Sequence, residues 1–138
     1  MTSSHHPLLV LDASALVELV QGHPELMGLV DRAYYGDVIL AVPALAVLEA
    51  QVAARVAPNL WDHIFGLPGV RDLDLSVRIA APIGDLAAPR LERNPLHTSL
   101  MGEQMAAQIA YEAIQMRAPI VTRIPSLYRG YAVALVEL

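Results

Sequence analysis

Short apolar runs with the length of buried strands alternate along this chain with longer segments in which apolar residues recur at helical spacing. The short runs predict strands at Leu8–Leu11, Asp37–Ala41, Val70–Leu75, Pro119–Thr122 and Ala132–Glu137. Strands that are separated by helices along a chain usually pair in parallel, and the helices cover the sheet. We therefore predict an α/β fold with a mainly parallel central sheet of about five strands and helices on both faces.

The longer segments predict the helices. These cover Ser14–Val20, Glu25–Tyr35, the segment from Pro43 to Val56, Leu60–Phe65, the stretch after Ser76, and Glu103–Arg117. Pro82 lies inside the stretch that Ser76 can cap, and a proline ring removes a helical hydrogen bond, so this helix is expected to start late, kink or divide there. By its length the chain is one domain, residues 1–138, with residues 1–7 expected as a flexible tail.

The composition is unusually apolar. Apolar residues make up 55% of the 138 residues and the mean hydropathy is +0.44, but charged, proline or glutamine residues interrupt every apolar run. None approaches the roughly 18 residues that a membrane span requires, so we expect no membrane insertion. The excess is expected in strands that are buried on both faces, or in a contact with another subunit such as a homodimer.

The charges and the absence of cysteine narrow the function further. The net charge is −5 and all nine cations are arginine, which argues against strong non-specific nucleic-acid binding but leaves room for a local arginine cluster. Zero cysteines exclude disulfides, thiolate metal sites and cysteine catalysis. With no signal-peptide pattern, a cytoplasmic location is expected.

Two carboxylates stand out by their positions. Asp12 is the first charge after the run Leu8–Leu11, where open parallel sheets bind ligands, although an aspartate there also suits a helix N-cap. Glu49 is flanked by apolar residues on the helix after the second strand and should lie near the sheet. Two carboxylates that meet above strand ends suit Mg²⁺ or Mn²⁺, and phosphodiester hydrolysis by a metal-activated water is the chemistry that follows most readily.

Three segments carry a resemblance to a known family. Residues 9–17, Leu-Val-Leu-Asp-Ala-Ser-Ala-Leu-Val, resemble the opening motif of PIN domains, especially the VapC-type toxins of toxin–antitoxin pairs. Residues 42–50, Val-Pro-Ala-Leu-Ala-Val-Leu-Glu-Ala, resemble the second motif, whose glutamate is a metal ligand. Residues 106–111 and 118–123 resemble the acidic helix and the strand after it. The resemblance implies a three-layer α/β/α fold, Mg²⁺- or Mn²⁺-dependent endoribonuclease ancestry, a homodimer and an antitoxin partner.

The resemblance also exposes a difference in the acidic site. PIN nucleases usually carry a third acid where this chain has Ala106, and often a fourth where it has Ile124. Glu103, one turn before Ala106, is a candidate replacement ligand; alternatively it complements the positive end of its helix. The metal ligands that the resemblance implies are thus Asp12 and Glu49, with Glu103 as the substitute and Ser14 as a supporting residue.

Arg123 and Arg129 are candidates for contact with a phosphate backbone. Arg123 would end a strand beside the site, and Arg129 lies between Tyr128 and Tyr131, whose rings are of a type that stacks on unpaired bases. Packing at a loop is the plainer interpretation of these four residues, and we favour it.

Three functions stay open. The residues favour a PIN-like protein of the VapC-type lineage with an incomplete acidic metal site and weak or lost activity. One alternative is an active Mg²⁺- or Mn²⁺-dependent endoribonuclease toxin that uses Asp12, Glu49 and Glu103. The other is a non-catalytic module that pairs with itself, an antitoxin-like protein or RNA.

Overall fold

The apolar runs form one parallel sheet of five strands, ordered β3-β2-β1-β4-β5. The strands are β1 (Leu8–Leu11), β2 (Ile39–Pro43), β3 (Val70–Leu73), β4 (Ile120–Thr122) and β5 (Leu135–Glu137). The computed structural model describes the backbone of residues 7–93 and 100–138 and the side chains of residues 7–89 and 103–138. Most of the tail predicted for residues 1–7 therefore lies outside the described residues.

The second strand begins and ends two residues later than predicted. Its pairing with β1 starts at Ile39, whose N–H donates to the carbonyl of Pro7 at 2.8 Å. At the other end Pro43 still pairs with Leu73, and it is also the N-cap residue of the helix that follows. Proline is tolerated there because neither the end of a strand nor the start of a helix requires the backbone N–H hydrogen bond that proline cannot donate.

Helices connect the strands. They are α1 (Ala13–Val20), α2 (Pro24–Tyr34), α3 (Ala44–Ala54), α4 (Pro58–Phe65), α5 (Val77–Arg93) and α6 (Leu100–Met116), and a 3₁₀ turn covers Pro125–Tyr128. Contacts link α1 with α3, α3 with α6, and α5 with α6. The result is the predicted three-layer α/β/α arrangement, with every strand pair parallel.

The helix α5 corrects one expectation. It neither starts late nor divides at Pro82 but continues through both Pro82 and Pro89. The Oγ of Ser76 accepts a hydrogen bond from the N–H of Ile79, as the predicted cap requires. The first turn is exposed, with Val77 92% accessible, so water can replace the hydrogen bond that Pro82 removes.

The central strands hold the core. Val10, Leu11, Leu40 and Ile120 are completely buried, which is where the excess apolar residues were expected. A smaller apolar cluster lies between α5 and α6. Within residues 7–93 and 100–138, no helix combines the length and apolar character needed to cross a membrane.

The strand order fixes where a site can form. The chain moves from β1 to β2 on one side, whereas β4 pairs on the other side of β1. The order therefore reverses between β1 and β4, and parallel sheets bind ligands at the carboxyl ends of the strands at such a point. Asp12 follows β1 and Arg123 follows β4 at this edge.

Candidate functional site

Asp12 lies at the junction of β1 and α1 and is completely buried. Its Oδ1 accepts hydrogen bonds from the Ser14 Oγ at 2.6 Å and from the Ala15 N–H at 2.9 Å, which makes it the N-cap of α1. Its Oδ2 accepts a hydrogen bond from the Tyr128 hydroxyl at 2.7 Å. The N-cap interpretation is confirmed, and both oxygens are bound to uncharged donors.

Ser14 joins this corner to the end of β4. While its hydroxyl donates to Asp12, its Oγ accepts a hydrogen bond from the Arg123 N–H at 2.9 Å. The Thr122 Oγ1 lies 3.4 Å from the same oxygen and accepts from the Ile124 N–H at 2.9 Å. Asp12, Ser14, Thr122 and Tyr128 thus form one hydrogen-bonded group, called the Asp12 network below.

A pocket of about 450 Å³ opens beside the Asp12 network. Its walls are mostly apolar, and the described residues that line it are Ala13, Ser14, Val17, Glu18, Glu49, Ala53, Met105, Arg123, Ile124 and Leu127. Asp12 is not among them. The Arg123 guanidinium forms an ion pair with Glu18, so these two charges offset each other at the pocket. This space is called the site pocket.

Glu49 contributes the uncompensated charge of the site pocket. The side chain is half-buried on α3, and within the described part of the chain it forms no hydrogen bond or ion pair. A half-buried carboxylate beside apolar walls is a position that favours a cationic group. The prediction that Glu49 lies near the sheet agrees with its place in this pocket, which Arg123, the residue after β4, also lines.

Glu103 lies in the first turn of α6 and is partly buried. It is not among the described residues of the site pocket, to which the same helix contributes Met105. A carboxylate in a first helical turn complements the positive end of the helix, as the alternative interpretation of Glu103 proposed. Ala106 is completely buried, and Ile124 lies in the pocket wall with 46% of its surface exposed.

These donors do not fit a hard divalent cation. Mg²⁺ demands an octahedral set of oxygen ligands, and its carboxylate ligands must present free oxygens. Asp12 is bonded on both oxygens and closed off from the pocket, and Glu49 lines the pocket. Among the residues whose side chains are described, no three acidic, histidine or cysteine side chains are placed to hold a metal ion together. Metal ligation by Asp12, Glu49 and Glu103 stays a prediction that this donor set does not support.

The two arginines predicted for phosphate contact do not share a cavity. Arg123 lines the site pocket, whereas Arg129 is exposed beside a separate cavity of about 330 Å³. Tyr128 is only 2% exposed and its hydroxyl binds Asp12, so its ring cannot stack on a base. For Tyr128 the packing interpretation is confirmed.

Sequence reasoning missed two partners in the site. Glu18 lies one helical turn after Ser14, so the spacing of four residues could have placed it on the same face. The bond between Tyr128 and Asp12 joins residues 116 positions apart, and no local pattern signals it.

Comparison with known proteins agrees with this architecture. No protein-family model matches the sequence, and the search of curated proteins finds no match. A chain from the crystal structure of VapBC2 from Rickettsia felis bound to a DNA fragment from their promoter is similar, with a TM-score of 0.66 and 17% identity over 94% of this chain and 98% of that chain. A chain of a toxin–antitoxin complex from Klebsiella pneumoniae gives a TM-score of 0.59 and 16% identity over 94% and 99%. At such identities the similarity shows the fold alone, and it confirms the predicted three-layer α/β/α PIN-like fold.

Proposed function

We propose that this chain is a PIN-like protein of the VapC-type toxin lineage that binds an antitoxin-like protein and whose metal-dependent endoribonuclease activity is weak or lost. The observation that carries the proposal is the Glu49 carboxylate in the site pocket, which has no ion-pair partner among the described residues, at a site where Ala106 and Ile124 stand in place of acids. The similar structures are those of VapBC2 and of a toxin–antitoxin complex, which supports the choice of an antitoxin-like partner.

The site pocket suits a basic side chain with an apolar stem. Its volume of about 450 Å³ is in the range of ligand pockets, and Val17, Ile124 and Leu127 offer apolar walls. Arginine and lysine bury their methylene stems against such walls while the charged head seeks a carboxylate. Glu49 is the carboxylate that has no protein partner among the described residues, so an arginine or lysine of the antitoxin-like segment would pair with it.

Further parts of the proposal follow from the sequence. We propose a homodimer because Leu48 and Val52 leave apolar surface exposed on α3, and a cytoplasmic location because no signal-peptide pattern is found, with which the zero cysteines are compatible. If the active alternative holds, Asp12, Glu49 and Glu103 would bind Mg²⁺ or Mn²⁺, and Arg123 and Arg129 would contact the RNA. The apolar residues at Ala106 and Ile124 argue against that alternative.

Peptide binding tests the pocket. The probe is a short peptide with one arginine flanked by leucines, and the control peptide carries uncharged citrulline at the same position. We expect the arginine peptide to bind about tenfold more tightly than the citrulline peptide, because a hydrogen bond to a charged group is worth about 1.5–3 kcal/mol. Glu49→Gln should remove this difference, and Glu25→Gln, at an exposed residue of α2, should keep it.

Calorimetry tests the loss of the metal site. Protein stripped with EDTA is titrated with Mn²⁺ and incubated with RNA, in the native form and as Glu49→Gln. We expect no heat of binding at millimolar Mn²⁺ and no cleavage. Micromolar Mn²⁺ binding together with RNA cleavage, both lost in Glu49→Gln, would establish the nuclease instead.

In the peptide experiment, equal affinity of the arginine and citrulline peptides would reject the proposed pairing of a basic side chain with Glu49.

A further inference from the structure

We infer that Asp12 works without a metal ion, with the Tyr128 hydroxyl in the place of a cation, and that this bond positions the wall of the site pocket. The inference rests on the contacts of Asp12 and does not depend on the proposed partner. Asp12, which the resemblance implies as a metal ligand, then has a different task.

The charge of Asp12 is balanced by hydrogen bonds. A completely buried carboxylate is costly unless donors compensate it, and here the Ser14 hydroxyl, the Ala15 N–H and the Tyr128 hydroxyl do so. The two hydroxyl contacts, at 2.6 and 2.7 Å, have the lengths of strong bonds to an ionised oxygen. A carboxylate has about four acceptor positions, and three are occupied.

The Asp12 carboxylate presents no surface to the site pocket. Asp12 is absent from the described pocket lining, while its neighbours Ala13 and Ser14 belong to it. Mg²⁺ and Mn²⁺ keep several water ligands when they bind, so they need an open approach to the carboxylate. Tyr128 is itself buried and blocks the Oδ2 side.

The same bond holds the pocket wall. Tyr128 is the last residue of the 3₁₀ turn, and Leu127, in the same turn, lines the site pocket together with Ile124. The bond to Asp12 attaches this turn to the end of β1, and Ser14 attaches the backbone of Arg123. Tyr128 is therefore a positioning residue, which acts on the pocket through the turn that carries Leu127.

Thermal unfolding and NMR of the full chain test the inference. Tyr128→Phe keeps the ring and removes only the hydroxyl; Tyr35→Phe, at a tyrosine that is 78% exposed, is the matched control. We expect Tyr128→Phe to lower Tm by about 3–8 °C relative to the control, by the same amount in EDTA and in Mn²⁺. Amide signals of residues 122–128 and of the start of α1 should shift in Tyr128→Phe and stay unchanged in Tyr35→Phe.

Paramagnetic broadening supplies the direct reading of metal contact. Mn²⁺ held by Asp12 would erase the amide signals of Ala13, Ser14 and Ala15 in the native protein at low Mn²⁺, whereas we expect those signals to persist. Selective loss of these signals would overturn the inference. A Tm for Tyr128→Phe equal to that of the control would overturn it as well. Neither the Tm nor the broadening measurement uses the peptide. A failure of this inference can therefore be distinguished from a failure of the proposed function.

Discussion

The hydroxyl of Tyr128 and the backbone N–H of Ala15 bind opposite oxygens of the Asp12 carboxylate. One residue thereby caps α1 and anchors the 3₁₀ turn. An aspartate at a strand end is consistent with either a ligand or a cap, because both uses need an oxygen at that place. In this protein the contacts show the cap.

A second residue, Gln108, accepts a hydrogen bond from the first turn of α3, as Asp12 does from the first turn of α1. Pro43 offers no side-chain cap to α3, and the Gln108 Oε1 accepts the hydrogen bond of the Leu45 N–H at 2.8 Å. Gln108 is completely buried on α6, so its amide also fixes the packing of α6 against the start of α3. A helix terminus thus obtains its partner from a residue 63 positions away.

Glu112 gives a prediction of pH dependence. Burial raises the pKa of this carboxyl on α6 above its ordinary value of 4.5. The folded state therefore favours the protonated form of Glu112. The stability that this preference contributes is fully present below the pKa of the unfolded state and is lost as the pH rises through the pKa of the folded state. We expect Glu112→Gln to increase the free energy of unfolding at neutral pH and to change it little at pH values below 4.5.

Urea unfolding at a series of pH values measures this effect. Glu137→Gln, at an exposed residue of β5, is the control and should leave the pH profile unchanged. A Glu112→Gln profile parallel to that of the native protein at all pH values would contradict the prediction.

At the scale of elements, the entry to β3 depends on a close approach to the end of α2. Gly69 has a φ of +80°, and a Cβ there would lie 2.5 Å from the carbonyl oxygen of Ala33. Its own carbonyl accepts from the Leu40 N–H, which sets the register of β3 against β2. Glycine is required at this position both by the backbone conformation and by the space.

Gly69→Ala should therefore destabilise the protein strongly. Gly22 is the matched control, because its φ of +76° carries the same strain while an added Cβ meets nothing within 4 Å. We expect Gly22→Ala to lower the free energy of unfolding by about 1 kcal/mol, and Gly69→Ala by more than about 3 kcal/mol. Denaturant unfolding compares the two; equal losses would show that the contact with Ala33 is unimportant.

The helix α5 shows how solvent exposure changes the effect of a proline inside a helix. A proline inside a helix predicts an interruption, but the cost depends on whether water or protein surrounds the broken hydrogen bond. Here the start of α5 is exposed, and Ser76 caps it. A late start or a division at Pro82 was wrong because the local pattern contains no information on solvent exposure.

For the whole molecule, the surface of α3 bears on the proposed homodimer. Its buried face presents Ala46 and Ala50, yet Leu48 and Val52 on the other side are 46% and 67% exposed. A helix that is apolar on all sides is normally covered on all sides. This face is therefore the surface on which we expect the second copy to pack.

Light scattering after gel filtration tests this expectation. The native protein should have the mass of two chains, and the double variant Leu48→Glu with Val52→Glu that of one chain, because two charges cannot be buried unpaired in an interface. Met27→Glu, on α2 at a residue that is 44% exposed, should stay dimeric. A native protein with the mass of one chain, or a double variant that stays dimeric, would reject the interface.

The sequence by itself determined the alternation of strands and helices, the parallel sheet, and the positions of Asp12 and Glu49 near its edge, because each follows from short-range periodicity and from the residues that end a strand. The tertiary structure decided the strand order, which places β4 beside β1 and so brings Arg123 to Ser14 and Tyr128 to Asp12. Contacts between residues more than a hundred positions apart depend on how whole elements pack, and no local pattern encodes them. For that reason the sequence indicated a cap or a metal ligand at Asp12, and only the tertiary structure shows the hydrogen bond that this carboxylate accepts from the Tyr128 hydroxyl.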